Sequence, residues 1–256
     1  MLLAVNLSNS SIEFGLLEGE KIAFCETVYA DTHRSAAEYA VLFRQIFQLN
    51  VLDPKEIDSA ILSSVVPSLT YTLRQAVKLF CGITPMCVGP GMKTGLKLKV
   101  EDPKAIGADL IASAVAAVSL YGTPLIVVGM QTATVFSVID SEKQFLGGSV
   151  IPGLEVSLQA LSDAAAQLPE IGVSVPKKVI QSKTVEAMQS GIVYGQAAML
   201  DGMIERIEEE SGLKCTVVAT GRMARVIIPF CKREILLDNQ LILKGLGILY
   251  HRNITG

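Results

Sequence analysis

Four stretches of the chain carry groups that could hold a phosphate and move a proton. Asn6-Leu7-Ser8-Asn9-Ser10-Ser11 lies between two apolar runs, and Gly129-Met130-Gln131-Thr132-Ala133-Thr134 lies between two more. A small polar turn of this kind gathers backbone N–H groups and hydroxyls at one point, where anionic oxygens can be held. Thr220-Gly221-Arg222 follows an apolar run and offers a close backbone approach suited to a nucleoside. Asp109 opens an Ala-rich stretch, where a carboxylate could serve as a general base. Each feature also has a plain structural reading. Both turns are ordinary hairpin loops on local grounds, because Asn, Ser and Gly favour turns. An Asp at a helix start complements the helix dipole. Singly they are unspecific. Their order along the chain (turn, acid, turn, strand followed by Thr-Gly) is much more specific.

The elements that must position these groups follow from hydrophobic periodicity and turn residues. Strands are predicted over 1–5, 12–17 and 21–28, a helix over 35–49, a strand over 58–65, a helix over 68–80 and a strand over 85–88. Residues 93–104 read as polar and extended, and 106–120 as a helix. Tyr121-Gly122-Thr123-Pro124 is the best candidate boundary. After it, 125–128 and 135–139 read as strands around the second turn, and Gly147-Gly148 with Pro152-Gly153 closes the unit. Helices are predicted over 154–168 and over 184–211, the latter broken near Gly191 and Gly195. A strand over 215–219, a helix start in 223–230, a strand over 235–237 and a helix over 240–250 complete the chain. Residues 125–151 repeat the layout of 2–28. The expectation is an α/β protein of two domains, 1–121 and 122–256, related by internal duplication of fold.

Bulk composition narrows the function classes. Half of the 256 residues are hydrophobic, enough for a sizeable core, and the net charge of −3 gives no basic field for nucleic acid. No apolar run reaches the roughly 18 residues of a membrane span. The N-terminus starts apolar but has no basic region before that run, so it does not read as a signal peptide. Two histidines are too few for a histidine-based metal site. Five cysteines without CxxC spacing suggest reduced thiols and a cytoplasmic location.

With these residues in view, the chain resembles the type III pantothenate kinases of the acetate/sugar kinase–Hsp70–actin superfamily. The resemblance covers nearly the whole chain. It rests on ILSSVVPSL at 61–69, TGLKLKVEDPKAIGAD at 94–109, LGGSVIPGLEVSLQAL at 146–161, TVEAMQSGI at 184–192 and LILKGLGILYHRN at 241–253. It implies two duplicated ribonuclease-H-like domains with a cleft between them, assembled as a homodimer. It also implies ATP-dependent phosphorylation of pantothenate, the first step towards coenzyme A, with Mg-ATP and a monovalent cation, K⁺ or NH₄⁺.

The family pattern, carried over residue by residue, shows substitutions concentrated at the chemistry. The first phosphate turn, D-x-G-N-T in the family, reads Asn6-Leu7-Ser8-Asn9-Ser10 here. The substrate motif G-A-D-R reads Gly107-Ala108-Asp109-Leu110, so the implied base Asp109 stays and the arginine is replaced. The family tyrosine that contacts pantothenate falls at Val100. The second turn, D-F-G-T-A-T-T, reads Gly129-Met130-Gln131-Thr132-Ala133-Thr134-Val135, and Gly129 brings no side-chain ligand to the monovalent-cation position. Thr220-Gly221-Arg222 matches the nucleoside-side T-G-G. Thr184 matches a pantothenate-contacting threonine supplied by the other subunit. The expectation is a kinase whose activity on pantothenate or an analogue is weak or lost. The alternative is a non-catalytic ligand-binding or regulatory paralogue that pairs with an active subunit.

Overall fold

Leu2–Leu7 is buried along its whole length and forms β1, the middle strand of a five-stranded sheet. In this computed structural model, which describes residues 1–254, β2 (Ser11–Glu18) pairs with β1 antiparallel and β4 (Ser59–Ser64) pairs with it parallel. With β3 (Lys21–Tyr29) and β5 (Met86–Cys87) at the edges, the order is β3-β2-β1-β4-β5. A strand apolar on both faces needs cover on both. On one face, α1 (Ala36–Leu49) and α2 (Pro67–Cys81) contribute Phe43, Phe47, Leu73 and Phe80 to a core with Leu3, Val5, Leu7 and Phe14. α1 begins on a capping box in which Ser35 and Glu38 bond each other's backbone N–H groups. α2 has Pro67 in its first turn and ends on Gly82 in the left-handed region, φ 80°.

The other face is covered by α7 (Leu241–Ile254), which packs in turn against α3 (Ala108–Tyr121). Leu243 of α7 lies over Gly15 of β2, and Gly247 lies over Leu17. A Cβ at Gly245 would collide with the backbone of Ala112, so glycine there lets the two helices meet. The last helix therefore completes the first sheet from the far end of the chain. The two compact units comprise residues 1–95, 101–116 and the stretch from 240 onwards in the first, and 96–100 with 117–239 in the second.

The second unit repeats the plan. β7 (Leu125–Met130) pairs antiparallel with β8 (Ala133–Ile139) and parallel with β10 (Thr216–Thr220). β9 (Gln144–Pro152), β6 (Lys97–Leu98) and β11 (Leu236–Leu237) extend the sheet to the order β11-β10-β7-β8-β9-β6. Ile126, Val128, Phe136 and Val217 pack against Val193, Ala197, Leu200 and Ile204 of α5 (Thr184–Ser211). α4 (Leu154–Ala164) and the short α6 (Ala224–Ile227) add Leu154 and Ile227 to this core.

Two expectations change. α5 runs unbroken through Gly191 and Gly195, because burial of its apolar stripe outweighs the roughly 1 kcal/mol that each glycine costs a helix. α4 stops at Ala164, short of 168, where Ala165 turns extended at φ −114° and ψ 98°. Among the described residues no helix is long and apolar enough to cross a membrane, and all five cysteines are free.

Candidate functional site

Both turns are shorter than the sequence suggests, because the flanking strands run into them. Asn6 and Leu7 are the last residues of β1, and Gly129 and Met130 are the last of β7. Ala133 and Thr134 already belong to β8. What remains is Ser8-Asn9-Ser10 in the first unit and Gln131-Thr132 in the second.

The first turn is tied to itself. The Ser8 N–H donates to the Ser11 carbonyl at 2.9 Å, the Ser8 hydroxyl lies 2.9 Å from the Ser11 hydroxyl, and the Ser11 N–H donates to Ser8 Oγ at 3.3 Å. Ser8 is buried with its side chain folded back, and Asn9 and Ser10 are exposed at the tip. Asn6 is different. It is 2% exposed, and its Oδ1 has no hydrogen-bond partner. Its register partners are Glu13 on β2 and Ser63 on β4. Ser63 is fully buried, and its hydroxyl also lacks a partner. Burial pushes the Glu13 carboxyl up to about 7. No hydrogen bond or ion pair from the described residues reaches that carboxylate.

Asp109 stands beside this strand end. Val65, directly after β4, donates its N–H to the Leu7 carbonyl at 3.1 Å. A Cβ placed on Gly107 would lie 2.5 Å from Asp109 Oδ1 and 3.4 Å from a Val65 methyl, so glycine there admits the carboxylate. Asp109 Oδ1 accepts the Leu110 N–H at 2.9 Å. Burial raises its pKa, and the hydrogen bond from Leu110 opposes part of that rise. A carboxylate held this way is shifted towards the range where a base is useful near neutral pH.

The second turn is clamped by two glycines. The Gly153 N–H donates to the Thr132 carbonyl at 3.0 Å, and a Cβ on Gly153 would fall on the carbonyl oxygens of Gln131 and Thr132. Gly221, at φ +103°, lies so close to Met130 that a Cβ would strike its carbonyl. Gly129 is open, and a methyl group added there would meet nothing within 4 Å. Thr134 is 1% exposed, and its hydroxyl has no partner. The register neighbours of Gly129 are Val135 and Thr220.

The sequence-derived residues thus fall into two groups. Asn6, Ser8, Asn9, Ser10, Gly107, Ala108, Asp109 and Leu110 are gathered in the first unit. Val100, Gly129, Thr132, Ala133, Thr134, Thr184 and Gly221 belong to the second. Val100 lies over Gly147 of β9, 3.9 Å from a methyl placed there, and Thr184 is exposed at the start of α5. Sequence motifs alone do not point to Glu13 or Ser63. The available signal is a charged residue inside the apolar run Ile12-Glu13-Phe14, which pairs back onto Asn6 once the hairpin forms.

Comparison with known proteins sets this geometry in a family. A family model described as type III pantothenate kinase matches residues 2–206. A type III pantothenate kinase of Moorella thermoacetica is 40% identical over 253 residues, spanning 99% of this chain and all of the relative. That of Halalkalibacterium halodurans is 37% identical over 254 residues, with 99% and 100% covered. This chain belongs to the type III pantothenate kinase family. Solved structures extend the likeness to fold. A Baf family transcriptional activator structure from Campylobacter jejuni aligns with TM-score 0.63 at 16% identity, covering 99% of this chain and 100% of the other. Component A of (R)-2-hydroxyglutaryl-CoA dehydratase from Acidaminococcus fermentans aligns with TM-score 0.57 at 11% identity, covering 99% and 98%. The two mixed sheets are the duplicated ribonuclease-H-like units of the actin-like ATPase fold.

Proposed function

We propose that this family member is an ATP-dependent kinase of pantothenate or a close analogue, slower than members that carry an acid in both turns. The observation that carries this reading is Asp109. It occupies the family base position, half-buried beside Val65, with its pKa raised by burial. In this role it accepts the proton of the substrate hydroxyl. A Mg²⁺ ion, for which Asn6 Oδ1 would be an oxygen ligand, would supply the positive charge that offsets charge on the transferring phosphoryl group.

The polar groups fit a magnesium nucleotide in kind. In the first unit, the unmet Asn6 Oδ1 is an oxygen ligand at the family acid position. In the second, the unmet Thr134 hydroxyl and the close backbone at Gly153 and Gly221 suit phosphate and nucleoside contacts. Two substitutions slow the reaction. Leu110 cannot pair with the pantothenate carboxylate, a charge-assisted contact worth roughly 1.5–3 kcal/mol. Gly129 offers no side chain to a cation, so K⁺ or NH₄⁺ gains little there. The five free thiols suit a cytoplasmic protein. The exposed Thr184 suits a homodimer in which it reaches the partner's substrate.

A second reading is favoured by Leu110 and Val100, which remove two pantothenate contacts at once. In it the chain binds nucleotide without turnover and pairs with an active paralogue. Mass-spectrometric detection of 4′-phosphopantothenate from pantothenate and Mg-ATP separates the two. The kinase reading expects turnover below about 1 per second, falling a further 10²–10⁴-fold in Asp109→Asn. Nucleotide binding with no product selects the second reading. Turnover that Asp109→Asn leaves intact overturns the role given to Asp109.

A further inference from the structure

Three oxygen-bearing side chains stand in one row across the first sheet. They are Glu13 on β2, Asn6 on β1 and Ser63 on β4, joined by strand register. Residues opposite one another on neighbouring strands share a face, with Cβ atoms roughly 4.5–5.5 Å apart. The face is the one that α7 covers further along, because Gly15, two residues after Glu13, lies under Leu243.

Two oxygens of this row find no hydrogen-bond partner among the described residues. Asn6 Oδ1 and Ser63 Oγ are buried at 2% and 0% exposure without a partner. Glu13 is partly buried beside them, and burial raises its carboxyl pKa. Native interiors leave few such groups unmet, and each costs about 1–3 kcal/mol. Ala, Val and Leu at these positions would pack a sheet better. An amide oxygen and a hydroxyl left unmet beside a carboxyl group offer the oxygen ligands that a hard cation takes.

We propose that Glu13 supplies the carboxylate, and Asn6 Oδ1 and Ser63 Oγ the neutral oxygens, of a divalent-cation site at the base of the first turn. The proposal deepens the kinase reading, because the negative charge absent from position 6 returns one strand away. Among the described residues no group of three or more His, Cys, Asp or Glu forms a metal cage. One carboxylate suits Mg²⁺, which keeps waters and takes its other ligands from phosphate oxygens. Bare-ion binding is therefore weak, and nucleotide tightens it.

Mn²⁺ is the probe, titrated into the whole chain with free Mn²⁺ read by electron paramagnetic resonance, alone and with a non-hydrolysable ATP analogue. The wild type is expected to bind one Mn²⁺ per chain. Glu13→Gln is expected to weaken that binding at least about tenfold, with metal-free analogue affinity within about twofold. The double variant Asn6→Asp/Glu13→Gln moves the carboxylate back by one strand and is expected to restore binding. Thermal melting confirms that each variant is folded. Unchanged Mn²⁺ affinity in Glu13→Gln, or no Mn²⁺ binding by the wild type with or without analogue, overturns the proposal. Mn²⁺ binding that depends on Glu13 without any analogue binding upholds the cation site and sinks the kinase reading instead.

Discussion

The two units build the same three-strand frame around their turns and fill it differently. In the first, β2, β1 and β4 align Glu13, Asn6 and Ser63. In the second, β8, β7 and β10 align Val135, Gly129 and Thr220. The middle position, where the family pattern carried over from the sequence expects an acid, is Asn6 in one and Gly129 in the other. Only the first row has an acid on the strand beside it. The second row is a hydroxyl, a bare backbone and a valine. With Glu13 taken in the role proposed for it, the two units differ in what stands in for a carboxylate, a neighbouring acid in one and open space in the other. The structure has room for either, since Gly129 has no atom within 4 Å of where a Cβ would stand.

The largest expected effect tests the charged row through stability. Glu13 has its carboxyl pKa raised from 4.5 to about 7 by burial. Between those values the folded chain holds a proton that the unfolded chain has released. The contribution of this group to stability is therefore fully present below about pH 4.5. It is lost as pH rises to about 7. The full swing is about 3 kcal/mol as an upper bound, from 1.36 kcal/mol per unit. Glu13→Gln removes the swing. Urea unfolding should show the variant gaining on the wild type by up to that amount between pH 4.5 and pH 8. Millimolar Mn²⁺ should shrink the gap at pH 8, because a ligand of the folded state stabilises it. Val135→Gln, at the matching place in the second unit, should show no such pH dependence. A flat wild-type profile would mean that Glu13 finds a donor, and the contrast between the rows would weaken.

Next in size is the response to restored acids. Gly129→Asp adds a carboxylate at a position whose register neighbours, Val135 and Thr220, carry none and where the space is open. It should tighten Mg-ATP binding about tenfold or more, in line with roughly 1.5–3 kcal/mol for a charged contact. Asn6→Asp, with Glu13 present, should gain less than about threefold, because the first row already holds a charge and a second one repels it. Isothermal titration of both variants against the wild type reads the difference directly. Equal gains would show that Glu13 does not stand in for the missing acid.

Much of this frame is legible in the sequence. The hairpins, the Ala-rich helix and the repeated layout follow from periodicity and turn residues. The motif text carries the family. The register is not legible. A strand's pattern says which residues alternate, but Glu13 faces Asn6 only because the first turn closes tightly on Ser8 and Ser11. Ser63 joins them through a parallel pairing with Asn6, 57 residues away in sequence, which no local pattern encodes. The ends of β1 and β7 escape local reading for a related reason. Asn6 and Gly129 are poor strand formers, and cross-strand hydrogen bonding holds them extended against that preference. The return of α7 to the first sheet is also tertiary, resting on Gly247, which lets the helix approach Leu17 of the sheet, and on Gly245, which lets it approach Ala112 of α3.

The smallest effect concerns what the two rows share. Each unit keeps one buried hydroxyl without a partner near its turn, Ser63 in the first and Thr134 in the second. Such a group lowers stability and gains nothing from packing, so apolar replacement should help the empty protein. Ser63→Ala and Thr134→Val should each stabilise it by about 1 kcal/mol, the low end of the penalty for an unmet polar group. The two should part company on ligands. Ser63→Ala should weaken Mn²⁺ binding, because the hydroxyl belongs to the cation row. Thr134→Val should leave Mn²⁺ alone unaffected and weaken the nucleotide analogue, because its register partners, Met130 and Ile151, bring no carboxylate to anchor a metal. Melting curves with and without each ligand read all four comparisons. If both variants lose stability, the hydroxyls have partners in solution, and their burial is ordinary core chemistry in both units alike.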